Sequence, residues 1–99
     1  MDVTLRYFDG CPNWQTADVR LREALAVTGH AELAIRYEKV ETPDEAAALR
    51  FTGSPTVLLD GRDAFETPST DFGLACRLYP TPAGLAGAPT LEQLVEALS

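Results

Sequence analysis

Apolar and polar positions alternate over residues 3–8, with Val3, Leu5 and Tyr7 on one side, which is the two-residue period of a strand. From residue 13 the period lengthens. Trp14, Ala17, Leu21, Ala24, Leu25 and Thr28 fall on one helical face, Pro12 suits the first helical position, and Gly29 suits the residue that ends the helix. Alternation returns at Leu33, Ile35 and Tyr37 and runs to Val40, predicting a second strand. In "TPDE", residues 42–45, Thr42 can cap the amide of Glu45 while Glu45 reaches back, and Pro43 opens a short helix that ends near Arg50. "GSPTVLLDG", residues 53–61, predicts a turn, a buried strand from Thr56 to Leu59, and an Asp60-Gly61 turn.

Residues 62–73 are rich in Pro, Ser, Thr, Asp and Gly and predict an irregular surface loop. "GLACRLY", residues 73–79, predicts a fourth strand, and residues 79–89 a second loop. Thr90 and Gln93 then form another capping box. Leu91, Leu94, Val95 and Leu98 give the last helix its apolar stripe. The order is β-α-β-α-β-β-α. The right-handed crossover rule makes the first two strands parallel, and the last two, joined without a helix, antiparallel. The expected fold is α/β, a four-stranded mixed sheet flanked by helices, in a single domain over residues 1–99.

A chain of 99 residues can bury about two-thirds of its unfolded surface, so neither metal nor disulfide is needed for folding. Hydrophobic residues make up 45% and charged residues 23%, the balance of an ordinary globular domain. With 15 acidic against 8 basic residues and a net charge of -7, the clustered cations that nucleic acid or an anionic membrane surface would require are missing. Neither is expected as a partner. There is no basic stretch followed by an apolar run at the amino terminus, and no segment approaches the roughly 20 apolar residues of a membrane span. A cytoplasmic monomer is expected. The two cysteines, Cys11 and Cys76, lie far apart in the sequence and lack the close spacing of a zinc site, so no metal and no cofactor are expected. His30 has no ligand partner nearby and is read as a surface residue, and the acidic residues Glu38, Glu41, Asp44 and Glu45 as a solvated face.

The element order, together with two short motifs, resembles the thioredoxin-like superfamily over nearly the whole chain. "CPNW", Cys11 to Trp14, stands where thioredoxins and glutaredoxins carry Cys-x-x-Cys, and "GSPT", Gly53 to Thr56, where they carry a cis-proline followed by Thr. The resemblance implies a cis bond between Ser54 and Pro55, with Pro55 against Cys11. It also implies that Cys11 is the catalytic thiol, with Pro12, Trp14, Ser54, Pro55 and Thr56 forming the substrate face. Trp14 replaces the second cysteine, so the motif cannot close its own disulfide. An oxidised Cys11 must then be resolved by an external thiol, by another protein, or by Cys76 if the fold brings it near. Cys76 itself is read first as a core residue of its strand.

An ordinary Cys with a pKa near ~8.5 is only a few per cent thiolate at neutral pH, and a helix N-terminus lowers that value. Asp9, the net negative charge and the lack of a cation in the motif oppose the shift, so a modest depression is expected. Asp9 is otherwise a turn residue. The chemistry expected is attack by the Cys11 thiolate on a disulfide or mixed disulfide, with a thiol-bearing protein or a low-molecular-weight thiol as partner. If Pro55 is cis, the Ser54 backbone can pair with an extended peptide by β-augmentation. Two alternatives stay open: a redox-inactive module that binds peptides on the Ser54–Pro55 face, and handling of organomercurials or soft metals by Cys11 and Cys76 with a carboxylate such as Asp9, as in the thioredoxin-like core of alkylmercury lyases.

Overall fold

The structure, a computed structural model, describes residues 1–68 and 71–99. Strand β1 (Val3–Tyr7) leads through a turn into α1 (Asn13–Val27), followed by β2 (Ile35–Lys39), α2 (Pro43–Ala48), β3 (Thr56–Leu59) and β4 (Arg62–Asp63). The chain then forms β5 (Tyr79–Thr81) and β6 (Gly84–Ala86) and ends on α3 (Leu91–Leu98). Four strands make one mixed sheet in the order β2-β1-β3-β4. β1 and β2 run parallel with Val3 opposite Ile35 and Leu5 opposite Tyr37, as a crossover through α1 requires. β3 runs antiparallel to β1, pairing Leu5 with Val57 and Arg6 with Thr56.

Alternation along β1 and β3 sends Val3, Leu5 and Val57 to one face, where they meet Ala17, Leu21, Ala24 and Leu25 of α1 and Leu94 and Leu98 of α3. This is the main core. Arg6 belongs to the opposite face and reaches the carbonyl of Leu49, the residue that ends α2. Val40, Ala46 and Phe51 form a second, smaller cluster there with Leu74 against it. Both predicted capping boxes form: Thr42 with Glu45 at α2 and Thr90 with Gln93 at α3. Asp18, which the apolar period of α1 passes over, is buried because Tyr37 donates its hydroxyl proton to it at 2.5 Å and Arg22 pairs with it at 2.8 Å.

Three expectations need correction. Pro12 is the N-cap of α1 rather than its first helical residue, with φ −71° and ψ −12°. The fourth strand of the sheet is Arg62–Asp63, inside the stretch read as loop, because Asp60 and Gly61 at φ 53° and 80° turn the chain back at once onto β3. Residues 73–79 do not join that sheet. They contribute an isolated parallel bridge between Ser54 and Cys76, and then Tyr79, which starts a separate hairpin with β6 where a loop was expected. For residues 69 and 70 the expectation of a surface loop lies outside the described residues. No helix among the described residues is long and apolar enough to cross a membrane.

Candidate functional site

A turn between β1 and α1 carries Cys11, whose amide donates to the Phe8 carbonyl at 3.2 Å. Directly after it, Pro12 caps α1 without a side-chain hydrogen bond, and the first turn of the helix holds no acidic residue to answer its free amides. Cys11 is completely buried, at 0% exposure. Its Sγ lies 3.6 Å from the carbonyl oxygen of Ser54.

Ser54 is followed by the cis peptide bond to Pro55 that the motif implied. This loop is held firmly. Thr56 donates its hydroxyl proton to the Gly53 carbonyl at 2.7 Å, and the buried hydroxyl of Tyr79 donates to the Pro55 carbonyl at 2.5 Å. Burial, above all, pushes the Tyr79 phenol well above its ordinary range, with Asp63 adding to the rise and Arg77 opposing it. The hydroxyl of Ser54, itself buried, has no hydrogen-bond partner among the described residues.

The backbone edge at Ser54, expected to be free for a peptide, is taken by the chain itself. Ser54 donates its amide to the Ala75 carbonyl at 2.8 Å and accepts from the Arg77 amide at 2.8 Å, while Gly73 donates to Phe51 at 3.1 Å. Residues 73–77 thus lie along residues 51–54 as a strap. Gly53 makes the close approach possible: it sits at φ +124°, and a Cβ there would meet the Arg77 Cβ at 2.9 Å.

Through this strap Cys76 arrives beside Cys11. Their Cα atoms are 5.7 Å apart and the two sulfurs form a disulfide, within the usual Cα span of about 4.4–6.8 Å. Cys76 is exposed rather than a core residue. The structure therefore gathers Cys11, Pro12, Ser54, Pro55, Thr56 and Cys76 into one place, while Trp14 stacks on Tyr7 with ring centroids 4.3 Å apart. Asp9 turns to Lys39, 2.6 Å away, and raises the Lys39 ammonium above its ordinary range. His30 is half-buried and ends the turn after α1, its amide bonded to Leu25 at 2.7 Å.

Arg77 went unread in the sequence, although an arginine inside "GLACRLY" is the kind of interruption that marks a buried charge. It is nearly buried, pairs with Asp63 at 2.7 Å, donates to the Phe65 carbonyl and to Thr56, and lies over the Tyr79 ring. This network fixes the strap immediately after Cys76. Beyond it opens a groove of about 670 Å³, walled by Cys76, Phe65, Glu66, Leu78, Tyr79 and Pro80 among others.

Among the described residues no group of three His, Cys, Asp or Glu is arranged to hold a metal ion. Fold and site together define a small mixed α/β protein with a cystine at the N-terminal end of its longest helix, beside a cis-proline loop. Set against known proteins, the chain matches no family model, no curated protein and no solved structure at a significant level.

Proposed function

We propose that this chain is a thioredoxin-like thiol–disulfide oxidoreductase that works through Cys11, with Cys76 as its partner thiol. The observation that carries the reading is the convergence of Cys11 and Cys76 at the N-terminal end of α1, against Ser54 and cis-Pro55. Element order and the strand order β2-β1-β3-β4 support the family resemblance. In the cycle, the Cys11–Cys76 disulfide exchanges with an external thiol, and the two electrons that reduce it come from a partner dithiol or two small thiols, which leave as a disulfide. The free amides of α1 favour the released Cys11 thiolate, and the Ser54 carbonyl at 3.6 Å can accept the S–H once that sulfur is protonated.

A peptide-binding module without redox chemistry gains nothing from this arrangement, because Ala75 and Arg77 already occupy the Ser54 edge. Soft-metal or organomercurial handling gains from the convergence of the two sulfurs, yet Asp9, the carboxylate named for it, is engaged by Lys39. The test is reduction of hydroxyethyl disulfide by glutathione in the presence of the protein. Turnover is expected to fall to background in the Cys11→Ser, Cys76→Ser double variant. Equal turnover in that double variant and the unmodified chain rejects the proposal.

A further inference from the structure

Which of the two sulfurs meets the partner is decided by their unequal exposure. Resting on the oxidoreductase reading, we infer that exchange enters at Cys76, from the groove between Phe65 and Pro80, and that the groove receives an apolar, cationic cysteine-bearing peptide.

Cys11 has no exposed surface, with the strap laid over the Ser54 edge beside it. Cys76 is exposed and lines the groove. A thiolate attacks a disulfide in line with the S–S bond, so the attacker stands on the far side of the sulfur it bonds to. Approach to Cys11 Sγ requires an opening that the buried residue does not have, whereas Cys76 is met from solvent. The partner thiolate therefore bonds to Cys76 Sγ, and the Cys11–Cys76 bond breaks with its electron pair on Cys11 Sγ. Cys11 then takes the proton that the partner thiol gave up to solvent. A second thiol of the partner attacks the partner's own sulfur in the mixed disulfide and displaces the Cys76 thiolate. The balance is one partner dithiol oxidised to a disulfide and one protein disulfide reduced to two thiols.

The occupant follows from the groove's walls. Phe65, Leu78, Tyr79 and Pro80 give it apolar surface, with Leu78 62% exposed. Its cation, Arg77, is neutralised by Asp63 at 2.7 Å, and Glu66 adds negative charge to a chain already at -7. A peptide with apolar neighbours around its cysteine and with Lys or Arg nearby complements both features.

Two measurements test the entry sulfur in folded full-length protein, with the fold of each variant checked by circular dichroism. With the neutral probe 4,4′-dithiodipyridine, Cys11→Ser, which leaves Cys76, is expected to react at least ~10-fold faster than Cys76→Ser, which leaves Cys11. Acid quenching of the oxidised, unmodified chain with a single-cysteine peptide, followed by peptide mapping, should find the adduct on Cys76. Equal rates, or an adduct on Cys11, overturn the inference. If hydroxyethyl disulfide turnover meanwhile stands, only the point of entry falls and the oxidoreductase reading survives. For the occupant, an apolar cationic peptide should form its adduct several-fold faster than an acidic one. Leu78→Ser should slow the apolar peptide, and Leu85→Ser, at a site at least as exposed but outside the groove, should not. No preference between peptides, or equal slowing by both substitutions, overturns the assignment of the groove.

Discussion

Arg77 pairs with Asp63, donates to the Phe65 carbonyl and to Thr56, and is nearly buried. Removing one partner of a buried ion pair leaves the other charge desolvated and uncompensated. We predict that Asp63→Ala destabilises the protein by about 3 kcal/mol in urea unfolding, the low end of the usual cost because the Phe65 carbonyl and Thr56 still accept from Arg77. Ser54 offers the opposite case. Its buried hydroxyl has no partner among the described residues, so Ser54→Ala should leave stability unchanged or raise it by up to about 1 kcal/mol. Should that substitution cost several kcal/mol, the hydroxyl has a partner after all. Tyr79 ties the proline loop to pH. Its phenol is raised above the ordinary 10.0, so the stability it contributes is whole below that pH and is lost as pH climbs through the raised value. The urea midpoint of the unmodified chain should thus begin to fall near about pH 10 and keep falling as pH rises further. In Tyr79→Phe the fall should be shallower, from a starting stability about 1 kcal/mol lower because the Pro55 carbonyl loses its donor.

At the scale of elements, the strap over residues 73–77 depends on one glycine. Gly53 combines a positive φ with a backbone approach to Arg77 that a methyl group would obstruct. We predict that Gly53→Ala costs about 2 kcal/mol and leaves a measurable fraction of free thiol in protein refolded under oxidising conditions. Complete disulfide formation in that variant would show that the strap tolerates the added carbon. The helices were legible from sequence because their signals are local: an apolar period for α1, and capping boxes at Thr42 and Thr90 for the other two. The β5–β6 hairpin was not. Its residues, with Pro80 and Pro82 in so short a span, carry no alternating pattern. What holds the hairpin is contact with distant parts: Tyr79 buried against Pro55, and the Gln93 amide of α3 donating to the Pro80 carbonyl at 2.8 Å.

For the whole molecule, the Cys11–Cys76 bond joins residues separated by 65 positions. Closing a loop of that length removes denatured-chain entropy worth about 4 kcal/mol. Reduction should therefore lower the unfolding free energy by an amount approaching that figure, read as the difference in urea midpoint with and without excess dithiothreitol, while circular dichroism in the absence of denaturant changes little. A reduced protein that unfolds outright would mean the two cores are too small to hold the fold alone.

The sequence by itself determined the mixed α/β class, the parallel pairing of the first two strands, and the helix boundaries to within a residue or two. Each of these follows from a short-range rule of period, capping or crossover. Only the tertiary structure decided that Cys76 meets Cys11, that Ser54 pairs with the chain's own strap, and that Arg77 is buried with Asp63. Those contacts join residues brought together by chain reversals far apart in sequence; the local sequence can flag one member, as Arg77 interrupts an apolar run, but it does not name the partner.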